Sequence, residues 1–198
     1  MRKLLATNNA GKVREFRALL SGCGWDLVTP AEAGLALEVE ETGTTYVANA
    51  RLKATAFAQA AGIAAIADDS GLEVDALDGA PGVYSARYAG QDTTHADKIV
   101  ALLDAVQGVP EAERTGRFRA VLVAALPDGR ERVAEGVCEG RIGHAPRGEG
   151  GFGYDPIFVI GDGLLTMAEI SSEEKNRISH RAVAARAMCR MLRELADD

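Results

Sequence analysis

The chain has 198 residues, 47% of them apolar, and 29 acidic side chains against 22 basic ones give a net charge of −7. This is enough apolar material for one full core, and the charge opposes broad binding to nucleic acid, which needs a basic stripe. No apolar run approaches the ~20 residues of a spanning helix, no charged-then-apolar signal opens the sequence, and Cys23, Cys138 and Cys189 lack any C-x-x-C spacing. The expectation is one domain over residues 1–198, with room for two lobes, in the cytoplasm, with no membrane partner, no disulfide framework, no zinc site and three buried thiols.

The first strand is expected at Leu4-Leu5-Ala6, which leads through Thr7-Asn8-Asn9-Ala10-Gly11-Lys12 into a helical stretch from Val13 to Leu20. A strand that turns at small polar residues into a helix, with lysine at the turn, offers backbone N–H groups and a cation to an anion. It is not a Walker A loop, because the first glycine is missing and Val13 stands where a hydroxyl would reach Mg²⁺. Metal ligands must come from elsewhere. Next, Tyr46, Ala50, Ala54, Phe57, Ala58 and Ala61 recur at helical spacing and predict a helix from about Thr45 to Ala61, with Asn49 and Lys53 one turn apart on its flank. Ile63 to Ala67 reads as a buried strand that stops at Asp68-Asp69-Ser70-Gly71.

A helix is expected from about Thr94 to Val106. Arg117 to Leu126 and Arg130 to Cys138 flank Pro127-Asp128-Gly129, and the Asp-Gly step predicts a hairpin. Helical segments are expected over Thr166 to Ile170 and from Ser172 onward, with Ser171 and Glu174 spaced as a capping box. Ala184, Ala187, Met188, Met191 and Leu195 form the last apolar stripe. The predicted class is α/β, a mixed sheet with a long antiparallel hairpin in its middle.

Three further segments bear on chemistry. Glu40-Glu41-Thr42-Gly43 places two carboxylates before the Asn49/Lys53 helix. Adjacent Asp68 and Asp69 repel each other unless a cation or proton compensates, and such hard oxygens suit Mg²⁺, which binds through one or two carboxylates plus substrate phosphates. Gly148 to Pro156 contains a formal G-x-G-x-x-G, but Pro156 to Ile160 continues as an extended segment rather than a helix, so the dinucleotide reading is rejected. What remains is a glycine loop delivering Phe152, Tyr154 and Asp155, a ring and a carboxylate able to stack on and bond a nucleobase. Lys175, His180 and Arg181 follow on a helical stretch, and no Ser-His-Asp or Cys-His set is present.

Together, Thr7 to Lys12, Glu41-Thr42-Gly43, Asn49-Ala50 with Lys53-Ala54, Ala67 to Leu72, Gly79 to Tyr88, Gly151 to Pro156 and Ser179-His180-Arg181 resemble the inosine/xanthosine triphosphate pyrophosphatase family. The resemblance runs in order from residue 4 to about 190. It implies an elongated α/β fold with two lobes flanking a cleft, a homodimer, and Mg²⁺-dependent cleavage of ITP, dITP and XTP to the monophosphate and pyrophosphate. By the same resemblance, Thr7, Asn8, Asn9, Ala10, Gly11 and Lys12 bind the triphosphate, Asp69 is proton acceptor and metal ligand, and Ser70 and Lys175 contact substrate. Phe152, Gly153, Tyr154 and Asp155, with His180 and Arg181, serve the base. The second metal ligand falls on Glu40, with its neighbour Glu41 as the alternative, and Lys53 joins Lys12 in offsetting phosphate charge. The competing readings are a hydrolase of modified pyrimidine or ordinary triphosphates, which a substrate panel separates, and a non-catalytic nucleotide sensor, which absence of pyrophosphate release with Mg²⁺ and ITP favours.

Overall fold

The computed structural model describes residues 2–90 and 92–194, so Leu195 lies outside the described residues. Six strands, β1 (Arg2–Leu5), β2 (Asp26–Val28), β3 (Ala65–Val74), β4 (Thr115–Ala125), β5 (Glu131–Ile142) and β6 (Phe158–Ile160), form one sheet in the order β2-β1-β3-β4-β5-β6. β1 runs parallel to β2 and β3, whereas β5 and β6 are antiparallel, so the sheet is mixed. The expected central hairpin is β4–β5: the Leu126 N–H donates to the Arg130 carbonyl at 2.9 Å and the Gly129 N–H to the Leu126 carbonyl at 3.0 Å. Among the described residues five α-helices accompany the sheet: α1 (Ala10–Leu20), α2 (Tyr46–Ala61), α3 (His95–Ala105), α4 (Ser172–Ile178) and α5 (His180–Glu194).

The chain forms two compact units. The first takes residues up to 69, 120–136 and those from 181 on; the second takes 70–119 and 137–180. In the first, Leu5, Phe16, Leu20, Ile66, Leu122 and Met188 are buried in one cluster with the alanines of α5. Burying each such large side chain contributes about 1.5–3 kcal/mol. Helix α2 starts where Thr45 caps it, its hydroxyl accepting from the Ala48 N–H, and ends at Gly62, whose φ of +65° suits glycine. Its inner face is Tyr46, Asn49, Ala50, Ala54, Phe57 and Ala58, so Asn49 faces inward rather than flanking that face. In the second unit, Leu72, Ile99, Leu102, Phe118, Ile157 and Phe158 make the core, with the Phe118 and Phe158 rings 4.5 Å apart between centroids. Helix α3 carries a full capping box from Thr94 and Asp97.

Five expectations need correction. Strand β3 does not stop at Asp68 but runs ten residues to Val74, because the cations described below compensate both carboxylates inside the strand. Residues 166–170 are not helical. Thr166 bridges to Val159, the Met167 N–H donates to the Phe158 carbonyl, and the Glu169 carboxylate accepts the Thr166 N–H, so a turn consumes the backbone groups a helix would use. The stretch from Ser172 is two helices, broken where Ser179 turns extended at ψ 156°. In α5 the buried line is Ala184, Ala185, Met188 and Cys189, with Ala187 and Met191 only partly buried. The thiols are also not all free: Cys23, after α1, and Cys189, in α5, are joined as a disulfide with Cα atoms 5.6 Å apart. Cys189 lies in the first unit's core and Cys23 packs against it, a proximity that a sequence separation of 166 conceals from the sequence. Cys138 stays free and buried, and burial pushes its thiol up to about 11.

Candidate active site

In the first unit, the end of β1 and the start of α1 form the loop expected to hold an anion. The Thr7 hydroxyl accepts the Asn9 N–H at 3.2 Å, and the Asn9 side chain caps α1 by accepting the Lys12 N–H at 3.1 Å. Ala10 and Gly11 then lead the helix with N–H groups that its own ladder does not use, and Asn8, Asn9 and Ala10 are exposed. This arrangement leaves a positive helix end open to an anion.

Adjacent residues on a strand point to opposite faces, and Asp68 and Asp69 use this. Asp68 meets α1 and α5: its carboxylate lies 2.6 Å from the Lys12 ammonium and 3.7 Å from Arg181 Nε. Arg181 is fixed in turn by Glu15 at 3.0 Å. Burial raises the Asp68 pKa, but the charges of Lys12 and Arg181 outweigh it and hold this carboxyl well below the usual range.

Asp69 meets α2. The Asn49 amide donates to it at 3.1 Å and the Lys53 ammonium lies 3.9 Å away. Lys53 itself bonds Glu41 at 2.6 Å and the Asp68 carbonyl at 2.8 Å. Here burial prevails, helped by the charges of Glu41 and Asp68, and the Asp69 carboxyl is raised above its ordinary value. Two neighbouring carboxyls driven in opposite directions separate a permanent anion from a candidate base. Asn49 is positioned by Gly43, whose N–H donates to its side-chain oxygen at 2.8 Å; a Cβ on Gly43 would stand 2.6 Å from that oxygen, so only glycine fits.

Glu41, partly buried, and Asp69 converge on the Lys53 ammonium, whereas Glu40 is exposed. Among the described residues no group of three or more His, Cys, Asp or Glu is placed to hold a metal. Two carboxylates with waters and substrate oxygens nevertheless match how Mg²⁺ is bound, so this donor set fits that ion.

In the second unit, the glycine loop is pinned by Asp155. Its carboxylate accepts the Phe152 N–H at 2.7 Å and the Lys175 ammonium at 2.5 Å, and both charged groups are almost fully buried. Gly151 has φ +71° and sits against the Asp155 carboxylate, where no side chain fits. The Lys175 ammonium also stands 5.2 Å from the Phe152 ring centroid, a cation–π distance. Gly153 carries the chain at φ +66° to Tyr154, whose hydroxyl donates to the Ser85 carbonyl at 3.0 Å, so Tyr154 anchors the loop from within the core. The His180 ring is buried and stacks on Phe118, with centroids 4.8 Å apart. Ser70, half-buried, follows Asp69 directly on β3.

The structure thus brings Lys12, Asp68 and Arg181 into one charged group, Asn49, Lys53, Glu41 and Asp69 into another, and Phe152, Asp155 and Lys175 into a third. Sequence reasoning misses Glu15 and Phe118. Glu15 lies three residues after Lys12 on the same helix face, which is a usable signal; Phe118 leaves none.

The model of the Ham1 family matches residues 3–191. The chain belongs to the Ham1 family. It is 48% identical to a Bacillus subtilis protein named dITP/XTP pyrophosphatase over 96% of each chain, and 52% identical to a Thermus thermophilus protein of the same name over 95% of this chain and 90% of that one. Among solved structures, a HAM1 protein from Coxiella burnetii superposes with a TM-score of 0.88 at 38% identity, covering 98% and 99% of the two chains. The Staphylococcus aureus Ham1 protein gives 0.87 at 39% identity with the same coverage. The resemblance seen in the sequence is therefore a true family membership, and the Ham1 fold is the mixed α/β fold described above. No helix among the described residues is long and apolar enough to cross a membrane.

Proposed function

We propose that this Ham1 chain hydrolyses non-standard purine nucleoside triphosphates, ITP, dITP and XTP, to the monophosphate and pyrophosphate in a Mg²⁺-dependent reaction. The observation that carries the reading is the split between Asp68 and Asp69, one carboxyl held ionised by Lys12 and Arg181, the other raised and bonded to Asn49. The names of the relatives at about half identity supply the substrate class.

In this reading the N–H groups leading α1 and the Lys12 ammonium receive phosphate oxygens. Lys53 offsets the charge that grows as the phosphoanhydride breaks. Asp69, its basicity raised by burial, accepts the proton of the attacking water, a contribution of about 10²–10⁴-fold. Asn49 holds that carboxylate in one orientation. Mg²⁺, held by Asp69 with Glu41 or Glu40, would neutralise triphosphate charge when bound. Phe152, clamped by Asp155 and Lys175, offers its ring to the base, and Arg181 supplies donors suited to a 6-oxo group. A 6-amino group would leave such donors unmet at about 1–3 kcal/mol each, which disfavours ATP. A homodimer completes the proposal and is checked by light scattering.

The deciding experiment is pyrophosphate release from ITP, XTP, dITP, GTP and ATP with and without Mg²⁺. Release from the first three that needs Mg²⁺ and exceeds that from ATP supports the proposal. Binding of ITP without release makes the chain a nucleotide sensor, and preference for GTP or ATP removes the base assignment.

A further inference from the structure

In the second unit, Asp155 accounts for the backbone of Phe152 better than for its ring. The carboxylate accepts the Phe152 N–H, which fixes the peptide, whereas a side chain set between two glycines turns about its own torsions unless other side chains stop it. The Lys175 ammonium stands 5.2 Å from the ring centroid, and the imidazole of His95 lies 6.3 Å from it, centroid to centroid, with the two planes tilted by 48°. Rings tilted at about 4.5–7 Å attract each other. His95 opens α3, and that end of the helix is firmly placed. The Thr94 hydroxyl accepts the Asp97 N–H at 3.2 Å, the Asp97 carboxylate accepts the Thr94 N–H at 2.9 Å, and Ile99 and Leu102 anchor the helix in the core. His95 itself is exposed, and among the described residues its imidazole meets the Phe152 ring and makes no hydrogen bond or ion pair.

We propose that His95 is a positioning residue for the base: from the start of α3 it holds the Phe152 ring in the orientation on which a purine stacks, a support independent of the Asp155–Lys175 clamp. This rests on the nucleotide reading above and adds to it a residue outside every motif segment that suggested that reading. His95 acts through Phe152, because a ring already held gives up less rotamer freedom when a base stacks on it. That benefit is equal in the ground state and the transition state and equal for every purine. It therefore belongs in KM, and not in kcat or in the choice of base.

Steady-state kinetics, with calorimetric binding of ITP in the absence of Mg²⁺, test this on the full chain. His95→Ala should raise KM for ITP about two- to tenfold, the worth of one aromatic pair, and raise KM for ATP by the same factor. The dissociation constant of ITP should follow KM, and kcat should stay within about twofold. His95→Phe, which restores a ring, should return KM to within about twofold of the parent, while His95→Gln, which keeps polarity without the ring, should behave as His95→Ala. In a Phe152→Ala background, His95→Ala should add nothing further. An unchanged KM in His95→Ala overturns the proposal and leaves His95 a solvated surface residue. Rescue by His95→Gln and not by His95→Phe, an altered ITP/ATP ratio, or additive effects in the double variant overturn it in favour of direct contact with substrate. Should His95→Ala not fold, His95→Gln carries the same test, because the capping bonds belong to Thr94 and Asp97. A parent protein that neither binds nor cleaves ITP ends the nucleotide reading and this inference with it. A parent that does both, with His95→Ala indistinguishable from it, ends this inference alone.

Discussion

Asp68 and Asp69 are chain neighbours that face opposite sides of β3 and answer to different helices, Asp68 to Lys12 of α1 and Asp69 to Asn49 of α2. One carboxyl is thereby held as an anion while the other keeps its proton to a higher pH than an ordinary carboxyl. Substitutions at the two positions should therefore fail in different ways.

Asp69→Asn keeps the shape but loses the base, so turnover should drop by about 10²-fold or more. Because the folded protein raises the Asp69 pKa, the carboxyl adds stability in acid and loses it as pH rises through the folded value. The amide should thus leave the melting temperature at pH 7 unchanged or higher. In the parent protein kcat/KM should fall as pH drops through this raised pKa. Activity within tenfold of the parent, or a lowered melting temperature, removes the assignment.

Asp68→Asn should unfold the protein more readily, because it strands the Lys12 and Arg181 charges. Breaking a buried pair costs about 3–5 kcal/mol. The folded state depresses this pKa, so the stability is present above the unfolded value near 3.9 and disappears as pH falls below about 4. Acid unfolding monitored by circular dichroism should show that dependence in the parent and lose it in Asp68→Asn.

Lys12→Ala and Lys53→Ala should each lower kcat/KM for ITP by roughly 10- to 150-fold, the value of a charge-assisted contact of about 1.5–3 kcal/mol. Steady-state kinetics on folded variants checks this, and parent-level kcat/KM in either one places that lysine outside phosphate recognition.

Phe152→Ala should cost about 1–3 kcal/mol with every purine alike, since each base has a π-face. Arg181→Ala should instead compress the ITP/ATP ratio of kcat/KM. Arg181 also bonds Glu15, so its loss lowers stability too, and the ratio, unlike the absolute rate, is insensitive to the folded fraction. An unchanged ratio leaves Arg181 a purely structural contact.

Asp155→Asn should act through the loop rather than by direct contact with chemistry. It weakens the clamp on the Phe152 N–H and leaves Lys175 buried without its anion. KM for ITP should rise more than kcat falls, and the melting temperature should drop. A kcat loss at constant KM contradicts the clamp.

Elements whose signals are local are legible in the sequence. The apolar spacing and Thr45 cap define α2, and Asp128-Gly129 marks the β4–β5 turn. β3 is misread because aspartates are poor strand residues, and Lys12 from α1, Arg181 from α5 and Lys53 from α2, all distant in sequence, make two in succession tolerable there. The same holds for the site. Lys12, Lys53 and Asp69 stand out by residue type, but the Arg181–Glu15 bond joins residues 166 apart and the stack of His180 on Phe118 has no sequence trace. Residues 166–170 show the reverse error, a plausible helical run whose backbone is claimed by Val159 and Phe158.

The Cys23–Cys189 bond encloses nearly the whole chain in one covalent ring. A protease that cuts once anywhere inside that ring, including the exposed Leu164–Leu165 tip, leaves a single molecule of unchanged mass apart from the added water. The nick becomes visible on a denaturing gel only after reduction.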